Sequence, residues 1–65
     1  MSKDLIRLYD LIERQFEVVS EGIAYITRVV DDKEELRDET YLLIKDTFEL
    51  LLLLRAYRDY LEEIL

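Results

Sequence analysis

The feature that most constrains this chain is an unbroken 4-3 apolar repeat in its first half: Leu5, Tyr9, Ile12, Phe16, Val19, Ile23, Ile26 and Val30. That spacing places all of them along one seam of an α-helix, because residues three and four apart are surface neighbours. A second series runs beside it through Leu8, Leu11, Gln15, Val18, Gly22, Tyr25 and Val29. At 100° per residue the two series span an arc of roughly 160°. A single facing helix covers only a narrow seam, so an arc this wide calls for at least two neighbours. The remainder of the chain supplies one more helix.

The spacing predicts a first helix over 3–30, with Ser2 as its N-cap and Asp4 suited to the positive helix end. Asp31 to Glu35 is a stretch without an apolar residue, and the break is placed at 31–33. Asp32 followed three residues later by Glu35 resembles a capping box for a second helix over 33–63. No Gly or Pro marks the break, so one continuous long helix is the alternative. A short connection makes the two helices antiparallel neighbours. The best 4-3 series of the second helix is Leu36, Thr40, Leu43, Thr47, Leu50, Leu54, Tyr57, Leu61 and Ile64. Tyr41, Ile44, Phe48 and Leu51 flank it early; Leu53, Ala56 and Tyr60 flank its other side later. Leu52 points away from both stripes. Gly22 costs about 1 kcal/mol relative to Ala inside a helix, which suggests close approach of another backbone, or a kink.

Composition narrows the classes. At 65 residues the chain is one domain, near the lower limit for a self-sufficient core. It has no Cys and no His, so neither disulfides nor thiolate or imidazole metal sites can staple it. A 51% apolar and 38% charged composition lies far from that of disordered chains. The longest apolar run, Leu50 to Leu54, is far short of the roughly 20 residues a bilayer requires. The first twenty residues carry charges throughout, unlike a secretory signal. These points predict a cytoplasmic protein with no membrane contact. Scarce amides beside abundant charge fit a thermophile's composition. The net charge of −7 disfavours nucleic acid, which needs clustered Lys and Arg, and suits a basic protein surface.

The residues carry little chemistry. Glu13, Glu17 and Glu21 line up four apart and could gather a divalent cation. Bundle metal sites, however, use inward Glu with Glu-x-x-His, and these Glu read as a solvated face. Arg7, Arg14 and Arg28 share one heptad position, but Asp10 and Glu17 beside them neutralise the row. Thr47 lacks an activating base for nucleophilic catalysis. Gln15 and Thr47 on apolar faces need partners if buried, either each other or backbone carbonyls. No catalytic residue, metal ligand or cofactor is therefore expected.

Two local resemblances stand beside this reading. Leu11-Ile12-Glu13-Arg14 resembles the opening of helical chorismate mutases, which implies a substrate contact for Arg14. Tyr25 stands where that family usually has Lys, and the chain lacks the length for a third long helix. Arg37-Asp38-x-x-Tyr41 through Arg58-Asp59 resembles the cytoplasmic stalk helices of CorA-type magnesium channels, over about half the chain and without the pore signature. No activity transfers from either.

The sequence thus predicts an all-α chain: one domain over 1–65, an antiparallel two-helix hairpin that dimerises into a four-helix bundle. That architecture is similar to the small plasmid RNA-binding hairpin dimers, with charge opposite in character. The expected oligomer interface is Leu8, Leu11, Gln15, Val18, Gly22, Tyr25 and Val29 with Tyr41, Ile44, Phe48 and Leu51. Leu52, Arg55, Tyr57, Arg58 and Tyr60 form a second candidate surface, since Arg and Tyr are types that interfaces favour. The favoured function is a non-enzymatic interaction module: adaptor, scaffold or regulator. The alternatives are an acidic decoy of a nucleic-acid-binding protein, a small chorismate-mutase-like enzyme, and a ligand-free bundle, natural or designed.

Overall fold

The computed structural model describes residues 3–64. They form two α-helices, α1 (Lys3–Arg28) and α2 (Lys33–Ile64), packed against each other as a hairpin. Ser2, the expected first N-cap, lies outside the described residues. The molecule is a rod of 48 × 14 × 12 Å. Its radius of gyration is 15.0 Å, against about 11 Å for a compact chain of this length.

A break does interrupt the helix, but α1 ends at Arg28, two residues before the expected end. The Val29 N–H turns back to the Ile26 carbonyl at 3.2 Å, an i to i−3 bond that tightens the last turn. The Asp32 N–H then bonds the Val29 carbonyl at 2.9 Å and reverses the chain. Thr27, Val29 and Val30 are β-branched and Asp31 and Asp32 are weak helix formers, so little resists this exit. Asp32 caps α2: its carboxylate accepts the Glu35 N–H at 3.1 Å, and its carbonyl accepts the Leu36 N–H at 2.8 Å. Only half of the expected capping box forms. The Glu35 carboxylate instead accepts a hydrogen bond from the Tyr25 hydroxyl on α1, which ties the turn to the helix before it.

The seam between the helices draws on both predicted series of α1. Leu5, Leu8, Ile12, Gln15, Val19, Gly22, Ile26 and Val29 are its covered positions, an uninterrupted 3-4 repeat. On α2 the covered positions include Leu36, Glu39, Leu43, Asp46, Leu50, Leu53, Tyr57 and Tyr60. The expected α2 stripe is therefore rotated: Thr47 and Leu54 are exposed, and Glu39, Asp46, Leu53 and Tyr60 face α1 in their place. The reason is polar as much as apolar. Gln15 enters the seam and its amide donates to the Asp46 carbonyl at 2.8 Å and to the Glu49 carboxylate at 3.4 Å. Turning α2 to receive that amide carries Thr47 outward, where its hydroxyl bonds the Leu43 carbonyl of its own helix at 2.7 Å. Gly22 is approached by the Leu43 side chain, at 3.4 Å from where a Cβ would stand, rather than by a backbone. α1 continues through it as one helix.

Candidate functional site

The hairpin buries very little. Among the described residues only Leu5 and Val19 are buried, at 7% and 9% exposure. A compact protein of 7.9 kDa exposes about 4,400 Å², whereas this chain exposes 5471 Å². The excess of about 1,000 Å² compares with the roughly 800 Å² that each partner gives to a standard interface. The candidate functional feature is therefore a surface.

Its location follows from helix geometry. Tyr9, Phe16, Ile23 and Val30 each stand one residue after a seam position of α1, and all are at least half exposed. Reversing a right-handed helix end for end also reverses the sense in which its residues advance about the seam. Positions just after the seam on two antiparallel helices thus share one side of the hairpin. On α2 that side holds Thr40, Thr47 and Leu54, and beyond them Tyr41, Ile44, Phe48 and Leu51. Exposure runs from 41% at Leu51 to 65% at Tyr41 across the apolar members. The result is one apolar face along the length of the rod.

The two halves of the face differ in relief. On α1 the large side chains stand immediately beside the seam as a ridge. On α2 the positions beside the seam are Thr40 and Thr47, and the bulk lies further out. This leaves a groove of about 480 Å³ lined by Leu43, Ile44, Thr47, Phe48, Leu50, Leu51 and Leu54. Thr40 and Thr47 donate their hydroxyls to the Leu36 and Leu43 carbonyls, both at 2.7 Å. With those hydroxyls satisfied inside the helix, the groove floor presents mainly methyl groups.

The opposite side is mixed. Leu11, Val18 and Tyr25 of the expected interface are exposed there, together with Leu42 and Glu49, and Glu35 is half-buried beside them. Tyr25 and Gln15 reach across to Glu35 and Glu49 on this side. Leu8, Gln15, Gly22 and Val29, also expected at the oligomer interface, are half-covered by α2. Of the second candidate surface, Tyr57 and Tyr60 are half-buried in the seam, and Leu52, Arg55 and Arg58 are exposed. Leu52 is 60% exposed on the outer side of α2. The Arg58 guanidinium pairs with Asp59 at 3.1 Å, and Arg37 with Asp38 at 3.6 Å. Both pairs are solvent-exposed and worth little.

Electrostatics adds two perturbed phenols. Tyr9 is raised above its ordinary pKa by its hydrogen bond to the Glu13 carboxylate and by the charge of that carboxylate. Tyr25 is raised in the same way by Glu35. Among the described residues no group of three or more acidic side chains is placed to hold a metal ion, and no helix is long and apolar enough to cross a membrane.

The apolar spacing alone groups Tyr41, Ile44, Phe48 and Leu51 on an outer stripe of α2 but places Tyr9, Phe16, Ile23 and Val30 in the main seam of α1. The distinguishing signal was available: Gln15 on an otherwise apolar stripe marks the side that meets a polar partner. No protein-family model, curated protein or solved structure matches this chain.

Proposed function

We propose that this chain is a non-enzymatic helical interaction module that works as a homo-oligomer, in its simplest form a dimer closed into a four-helix bundle. The observation that carries the reading is the near-absence of a core: only Leu5 and Val19 are buried among the described residues. An apolar face this large is more than soluble monomers usually expose, and such faces mark association sites. Burial at about 25 cal/mol per Å² makes covering it the largest favourable term open to the chain. Leu52 lies outside that face and stays available, with Arg55 at its margin, for a protein that the dimer would scaffold or regulate.

Absolute molar mass by light scattering on a size-exclusion column, over a hundredfold dilution, tests the reading. A mass of two chains that persists on dilution is the expected result. A monomer at every concentration overturns it and leaves the face for a different protein.

A further inference from the structure

We infer that the partner on this face is a second copy in one particular arrangement: each α1 ridge seats in the other chain's α2 groove, and both turns lie at the same end of the bundle. The inference rests on the self-association proposed above and adds its geometry.

Two hairpins facing each other can be related by a two-fold axis in two simple ways. An axis across the helices puts α1 over α1 and α2 over α2, with the turns at opposite ends. An axis along the helices puts α1 over α2 twice, with the turns together. Relief separates them. In the first arrangement the ridge bearing Phe16 and Ile23 meets its own copy, and the grooves at Thr47 face each other and leave a void. In the second, each ridge meets a groove.

Register makes the second fit specific. Gln15 bonds Asp46 and Glu49, and Gly22 lies against Leu43. Residues at one height in the hairpin thus have numbers that sum to roughly 64, at 1.5 Å of rise per residue. An axis along the helices preserves height. Phe16 of one chain then arrives over Thr47 and Phe48 of the other, at the groove lined by Ile44, Leu51 and Leu54. Ile23 arrives over Thr40 and Tyr41, and Tyr9 over Leu54 and Arg55. Large side chains on α1 recur every seven residues, and the small Thr40 and Thr47 on α2 recur at the same interval to receive them.

Charge agrees with relief. Beyond the ridge, α1 carries Asp10, Glu13 and Glu17, all exposed. Beyond the groove, α2 carries Arg37, Arg55 and Arg58, also exposed, with Glu34 and Glu62 as the acids at the two ends of that row. Placing α1 over α2 brings Asp10 to the height of Arg55, with Glu13 about one helical turn away. Placing like helix over like brings Glu17 near Glu17 and gathers the arginines of both chains. Opposite charge at the margin of an interface selects orientation more than it adds affinity.

The chain has no Cys, so a single introduced one can carry a nitroxide label at a chosen place. Asp31→Cys puts it in the turn, and Glu63→Cys puts it at the far end; both sites are exposed. Dipolar spectroscopy should give a short distance for each variant, on the order of 20 Å from helix spacings of 8–10 Å and the label arms. A long distance for both, comparable to the 48 Å length of the rod, would overturn this arrangement while leaving self-association standing. Loss of the dipolar signal in both, with a monomeric mass, would overturn self-association itself.

Discussion

Phe48 offers the sharpest test of how the face works. It is 62% exposed in the hairpin and forms one wall of the α2 groove, so Phe48→Ala removes little that holds α1 to α2. Ala is also the best helix former, so α2 is not weakened locally. Fully burying a Phe is worth up to about 3 kcal/mol. The exposed fraction, less the methyl that Ala retains, comes to about 1.5 kcal/mol per chain. A two-fold interface counts the loss twice, about 3 kcal/mol, and each 1.4 kcal/mol is tenfold in affinity. The dimer should therefore dissociate on the order of 150-fold more readily. Sedimentation equilibrium over a wide loading range measures this directly, with circular dichroism at high concentration reporting whether the helices survive. A dissociation constant within a factor of ten of the parent would refute the reasoning, as would a parent chain with no dimer to weaken.

Other perturbations probe the hairpin itself. Gly22→Ala should raise stability by about 1 kcal/mol from helix propensity, because a Cβ would meet only the flexible end of Leu43, at 3.4 Å. A lower melting temperature would show that something packs closely there in the assembled protein. Asp32→Ala removes the cap on the Glu35 N–H and should cost about 1 kcal/mol; an unchanged thermal melt would mean that the turn is set by other contacts. The raised phenol of Tyr25 favours the protonated side chain in the folded state. Its stabilising contribution is present below the ordinary tyrosine pKa of about 10 and lost as pH rises through the higher folded value. Tyr25→Phe should therefore flatten the fall in denaturation midpoint above pH 10, and equal slopes for parent and variant would sink that account.

The sequence by itself determined the helical character and the capping of α2 by Asp32, and it placed the break to within two residues while leaving one continuous helix open. These are local properties: apolar periodicity at helical spacing, a short stretch without apolar side chains, and a carboxylate three residues ahead of the amide it caps. It also determined that there was more apolar surface than one hairpin could cover, since the width of an arc is simple counting. It could not say which part of the arc each neighbour takes. Leu5, Ile12, Val19 and Ile26 belong equally well to a seam with Tyr9 and Phe16 or to one with Leu8 and Gln15, because the candidate seams lie side by side. Only the tertiary structure decided between them. Seating the Gln15 amide on Asp46 and Glu49 rotates both helices by a fraction of a turn. That rotation sends Phe16 and Ile23 outward as a ridge and Thr47 outward as the floor of a groove. A single polar side chain can choose between near-equivalent apolar packings because an amide drawn partly out of water must find acceptors, whereas a leucine is satisfied by any apolar neighbour.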